Sequence, residues 1–190
     1  ILSCDVFTGF PAPVSQAPIS ASPLPALPVL PAVPTATGRD GSKFYALRIG
    51  TSEVWLYTPP SLRPNMKFPA VLIAPAGSTL MTGMNLGEGD QPEHWPYLDA
   101  GFVVLAYALA GADDTSAFAA ANGGLENGRA ALAFLEQQPF VDPDNIFAAG
   151  HSSAGDTALL LAAHEPSLAG VAAFNSAGEG CWFQSEVILM

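Results

Sequence analysis

From residue 43 onward the hydrophobic positions fall into short runs separated by glycine and proline. Lys43–Ile49 (KFYALRI) alternates polar and apolar residues, as a half-buried strand does. Gly50-Thr51-Ser52 reads as a tight turn, and residues 53–57 (EVWLY) as the returning strand of a hairpin. Pro59, Pro60, Pro64 and Pro69 punctuate the loop that follows. Residues 70–74 (AVLIA) and 102–107 (FVVLAY) are continuous apolar runs, the pattern of strands buried on both faces. Residues 146–149 and Gly170–Phe174 are a third and a fourth run of this kind.

Helical spacing fills the intervals. Residues 125–138 place Ala130, Leu132, Ala133, Phe134 and Leu135 on an apolar face, with Pro139 just past the end. Residues 154–164 predict another helix, and a short one is expected at 95–100 after a glycine-rich loop over 77–90. Strands alternating with helices imply right-handed parallel crossovers. The expected fold class is therefore α/β, a mostly parallel sheet with helices on both faces that starts with an antiparallel hairpin. No repeat or linker interrupts residues 43–180, so one domain is expected over 39–190.

Residues 1–38 differ. No charged residue stands between Asp5 and Arg39, and eight of the eighteen prolines lie between Pro11 and Pro34. That density blocks helix and sheet ladders and predicts a stiff, extended tether, parts of which could lie along the domain through Leu and Val. Its Pro-Leu-Pro-Ala-Leu-Pro stretch would also suit a polyproline-recognising domain, a suggestion from composition alone. Ile1-Leu2-Ser3-Cys4 resembles the end of a bacterial lipoprotein signal, with Cys4 as the acylated residue of an exported protein; the alternative is that a sequence merely begins there.

Composition removes several functions. The net charge is -11 with six Lys and Arg, and no Lys or Arg follows Arg129. Nucleic acid and anionic lipid surfaces both need clustered cations, so neither is an expected partner. Cys4 and Cys181 form no disulfide framework or zinc spacing, and no metal or cofactor is expected. The longest apolar run, 102–110, is about half of what a membrane-spanning helix needs.

The segment that carries chemistry is Ile146-Phe147-Ala148-Ala149-Gly150-His151-Ser152-Ser153-Ala154-Gly155. A strand runs into Gly-x-Ser-x-Ala-Gly and then into a helix. Such a turn lifts one serine above the sheet in a strained backbone, and only small residues fit two places to either side of it. Gly150 and Ala154 meet that demand about Ser152. Ser153 is the rival, but its minus-two neighbour is His151, which is too large for the crossing. The plain alternative is an ordinary Gly-Ser turn between strand and helix.

This segment, with Val141-Asp142-Pro143-Asp144-Asn145-Ile146 before it, resembles the α/β-hydrolase superfamily. The likeness is greatest to its dienelactone-hydrolase, acetyl-esterase and prolyl-oligopeptidase-like branches. Phe68-Pro69-Ala70-Val71-Leu72-Ile73 is similar to the third strand of that superfamily, and Ala100-Gly101-Phe102-Val103-Val104 to the approach to its fourth. The resemblance implies a serine hydrolase acting on a carboxylic ester or amide through an acyl-enzyme on Ser152. It also implies an oxyanion hole from the N–H of Ser153 and an N–H of the loop after the third strand, at Ala76 or Gly77. That loop reads Pro75-Ala76-Gly77-Ser78, without the His-Gly of many relatives.

The resemblance further implies an acid and then a histidine after the serine. Counting the hairpin as two strands, residues 171–174 form the sixth, and no histidine follows. The expectation is a chain cut off after about strand six, with the triad acid and histidine beyond Met190. Glu179 is a candidate acid; a solvated carboxylate is its bland reading. His151 should point away from Ser152, His164 should end a helix, and His94 lies in the expected loop. Asp113 and Asp114 more readily start a helix than line a cleft, and Asp156 suits the dipole of a helix N-terminus. The competing class is a non-catalytic α/β-hydrolase-like binding or scaffold protein, which a missing base would fit.

Overall fold

The computed structural model describes residues 23–38, 40–77, 83–109 and 119–174. Glu179, Cys4, Cys181, Asp113, Asp114 and Ser78, named above, lie outside the described residues. Seven strands form one sheet: β1 Ala36–Thr37, β2 Lys43–Ile49, β3 Ser52–Thr58, β4 Phe68–Ile73, β5 Val103–Tyr107, β6 Val141–His151 and β7 Gly170–Phe174. The helices are α1 Gln91–Asp99, α2 Ala119–Glu136 and α3 Ser153–His164.

The sheet order is β1-β2-β3-β5-β4-β6-β7. The pairs β1–β2, β2–β3 and β3–β5 are antiparallel, and β5–β4, β4–β6 and β6–β7 are parallel. A period-two side-chain alternation sends each strand to two cores. Val103, Leu105 and Tyr107 of β5 join Leu72 of β4 and Ile146 of β6 on one face, beneath Phe134 and Leu135 of α2 and Leu161 of α3. Val104 and Ala106 of β5 join Val71 and Ile73 on the other face, beneath Leu98 of α1. Both faces are covered, which is why these strands read as unbroken apolar runs.

The crossovers explain where a site can form. From β4 the chain passes through α1 to β5 on one side, then through α2 to β6 on the other side of β4. In open α/β sheets such a reversal leaves a crevice at the carboxyl ends of the strands, where ligands bind. The loop after β4 and the turn after β6 flank that point.

Several boundaries differ from the sequence reading. α1 begins at Gln91, four residues before the expected start, because Pro92 sits in its first turn, where a missing N–H costs nothing. His94 is thereby a helical residue rather than a loop residue. Asp90 accepts a hydrogen bond from the N–H of Gly87 (2.8 Å), closing the short 3-10 turn Glu88–Asp90 that precedes α1.

The proline-rich segment reaches the sheet. Ala36 and Thr37 pair with Phe44 and Lys43 of β2. The hydroxyl of Thr35 accepts the N–H of Ala46 (3.0 Å), and the N–H of Thr35 donates to the carbonyl of Phe44 (2.8 Å). Leu27 and Leu30 pack against the α2/α3 core, while Val29 between them is 90% exposed. A contact every third residue is the repeat of a polyproline II helix.

Candidate functional site

β6 ends at His151 and α3 begins at Ser153, so one residue, Ser152, makes the whole turn. Its backbone sits at φ 54°, ψ -128°. A non-glycine residue there stores about 1–3 kcal/mol of strain, kept only where the surroundings enforce it. Three backbone bonds do so. The N–H of Ser152 donates to the carbonyl of Phe174 at the end of β7 (2.9 Å), and the carbonyl of Ser152 accepts the N–H groups of Gly155 (2.9 Å) and Asp156 (3.3 Å). Ser152 occupies the N-cap position of α3, yet its hydroxyl makes no capping hydrogen bond. A serine there ordinarily gains about 1 kcal/mol by capping. Here its hydroxyl is left free of the helix.

The crossing is as tight as the spacing of small residues requires. A Cβ on Gly150 would stand 2.3 Å from the carbonyl carbon of Ala154 and 2.7 Å from the nitrogen of Gly155. Ala154 and Gly155 are themselves buried.

The loop after β4 reaches this turn. Gly77, at φ 93°, donates its N–H to the side-chain oxygen of Ser153 across 2.9 Å. The carbonyl of Ser153 accepts the hydroxyl of Thr157 (3.1 Å) one helical turn on. Ala76 packs against the α2/α3 core. The structure thus brings together Ser152, Ser153, Ala76 and Gly77. The sequence marked Ser153 for its backbone; the contact of its side chain with Gly77 had no signal in the pattern.

The other candidates are held elsewhere. The imidazole of His151 lies 3.6 Å from the carboxylate of Glu93 in α1 and stacks on Phe174 with ring centres 5.7 Å apart. These residues, with Ile73, Pro96 and Tyr97, line a cleft of about 300 Å³ on the α1 face of the sheet. His164 closes the last turn of α3, about 18 Å along the helix from Ser152. His94 is 1% exposed, stacks on Tyr57 with ring centres 5.4 Å apart, and leaves its Nδ1 without a partner. Burial pushes the pKa of His94 down to about 4. Asp156 does stand in the first turn of α3, but burial raises its carboxyl above the usual range, so desolvation outweighs the dipole there. Among the described residues no group of three or more His, Cys, Asp or Glu side chains could hold a metal ion, and no helix is long and apolar enough to cross a membrane.

No protein-family model matches the sequence, and no curated protein matches it. Solved structures do. An α/β-hydrolase enzyme from a Medee basin deep-sea metagenome library superposes with a TM-score of 0.56 at 18% identity, over 80% of this chain and 65% of its own. Acetyl xylan esterase 1 from Thermoanaerobacterium gives 0.54 at 18% identity, over 74% of this chain and 50% of its own. A dienelactone hydrolase-like promiscuous phosphotriesterase from metagenomic libraries gives 0.54 at 20% identity, over 72% and 59%. The chain thus spans between half and about two thirds of the length of these three proteins. Identities this low speak to architecture, and the strand order, the crossovers and the strained turn after β6 agree with it: the fold of this chain is the α/β-hydrolase fold.

Proposed function

We propose that this chain belongs to a serine hydrolase that cleaves a carboxylic ester or amide through an acyl-enzyme on Ser152. The observation that carries this reading is the backbone of Ser152, strained at the strand-to-helix turn with its hydroxyl unused by the helix it begins. The hydroxyl oxygen would attack the substrate carbonyl, giving up its proton to a general base and forming a tetrahedral oxyanion. The N–H of Ser153 and that of Ala76 would receive that negative charge, helped by the positive end of α3, because the N–H of Gly77 is engaged by the Ser153 hydroxyl. Collapse would expel the alcohol or amine and leave the acyl group on Ser152, which water then removes. The hydrolase and esterase neighbours support the reaction class.

This reaction calls for a general-base histidine and an acid to orient it, and the three histidines of this sequence are held away from Ser152. His94 is buried, His151 faces Glu93 and His164 ends α3, and the sequence contains no others. Glu179 is the acid candidate within the sequence.

The experiment is activity-based labelling of the full-length protein with a fluorophosphonate, followed by peptide mapping. Modification of Ser152, abolished by Ser152→Ala, is the expected result. A folded full-length protein that takes no label at Ser152 would instead be a non-catalytic binding or scaffold relative.

A further inference from the structure

The hydrogen bond from Gly77 to Ser153 joins the two halves of the candidate oxyanion hole, which come from loops 76 residues apart in sequence. One half is the first turn of α3, whose backbone is fixed by the Ser152 carbonyl and by the bond from Thr157 to the carbonyl of Ser153. The other half is the loop after β4. Among the described residues its anchor on the elbow side is the Gly77 N–H, which meets the Ser153 hydroxyl at 2.9 Å. Oxyanion stabilisation depends on donors already aimed before charge develops, because a loop that must reorganise loses that advantage.

We infer that Ser153 is a positioning residue for this reaction: its side-chain hydroxyl holds the Ala76–Gly77 loop at the distance from Ser152 that the oxyanion needs. This rests on the reading of Ser152 as nucleophile and adds a task for the side chain of Ser153 distinct from that of its backbone N–H. Substituting the side chain leaves the backbone donor of residue 153 in place, so the two tasks are separable. Among the described residues the hydroxyl's hydrogen bond is the one from Gly77, so it acts through the loop.

The test uses the full-length protein with p-nitrophenyl acetate as the probe ester, comparing wild type with Ser153→Ala, Ser153→Thr and Ser152→Ala, each first shown to melt like wild type. A misplaced donor loop weakens the transition state more than the ground state, so Ser153→Ala is expected to lower kcat by about a hundredfold with KM within about twofold. Ser153→Thr keeps an acceptor oxygen and is expected to restore most of kcat. An unchanged or raised kcat in Ser153→Ala overturns the inference, as does a loss that threonine does not repair, while the nucleophile reading stands. Activity that survives Ser152→Ala removes the nucleophile reading, and the inference with it.

Discussion

The α-carbon of Gly150 faces the carbonyl of Ala154 so closely that any side chain would collide with it: a Cβ there would come within 2.4 Å of the Ala154 oxygen. The obstruction is backbone of the first turn of α3, which cannot rotate away as a side-chain tip can. Gly150→Ala must therefore push α3 off the end of β6 or relax the turn at Ser152. The expected cost is about 3 kcal/mol, at the upper end of overpacking penalties because no rotamer offers relief. Urea unfolding monitored through the tryptophans checks it. A loss below about 0.5 kcal/mol, the scale of a neutral surface change, would mean that strand and helix are not locked together there.

Ser152 itself offers a second test that needs no substrate. At φ 54°, ψ -128° its Cβ is the source of the strain, and glycine alone lacks one. Ser152→Ala keeps the strain and Ser152→Gly releases it, against a smaller entropic penalty from the more flexible unfolded chain. Ser152→Gly is expected to be more stable than Ser152→Ala by about 1 kcal/mol, although both lose the hydroxyl. Equal stability, measured by thermal or urea melts, would show that the turn stores no strain at this residue.

The elbow was legible because its requirement is local: Gly150, Ala154 and Gly155 are small for the same reason that the turn is tight. Lys43–Ile49 and Gly170–Phe174 were legible too, each bounded by its own turn residues. Other features depend on distant contacts. Asp142-Pro143-Asp144-Asn145 reads as a turn, and these residues do leave the ladder in a turn closed by the Asp142 carboxylate, but the strand spans it, because Val141 still pairs with Phe68 before Ile146 pairs with Ala70. The start of α2 was read six residues late since Asn122, Gly123 and Gly124 are poor helix formers. There the helix passes so near β5 that a Cβ on Gly124 would lie 2.9 Å from Leu109. Packing overrides propensity at that point. The contact of Gly77 with Ser153 has no local signature, and neither has the burial of His94.

His94 predicts how stability depends on acidity. Its pKa is about 4 in the folded protein against 6.5 for an ordinary histidine, because burial beside Tyr57 disfavours the cation. Between these values the unfolded chain binds the proton and the folded protein does not. Stability from this residue is therefore full above pH 6.5 and declines as pH falls toward 4, by an amount on the order of 3 kcal/mol over the window. In His94→Phe, which keeps an aromatic ring without a titrating nitrogen, this part of the slope should vanish. Parallel pH profiles for the two proteins, from urea midpoints between pH 4 and 7, would refute the assignment.

The proline-rich segment yields the last prediction, because its two kinds of apolar residue have opposite environments. Leu27 and Leu30 lie three residues apart, the repeat of a polyproline II helix, and both pack on the α2/α3 core, while Val29 between them is exposed to solvent. The prolines at 25, 28, 31 and 34 pre-set the extended backbone, so little chain entropy opposes docking of this ridge. At about 25 cal/mol per Å² of apolar area, replacing a half-buried leucine with serine should cost about 1 kcal/mol. Leu27→Ser with Leu30→Ser should then lower stability by about 2 kcal/mol, whereas Val29→Ser should leave it within about 0.5 kcal/mol. Limited proteolysis gives the matching readout: cleavage within residues 23–35 should accelerate in the double variant and not in Val29→Ser. Equal effects from the three positions would mean that the segment does not dock by this ridge, and that the bonds of Thr35 and the pairing of Ala36 and Thr37 with β2 tie it to the domain.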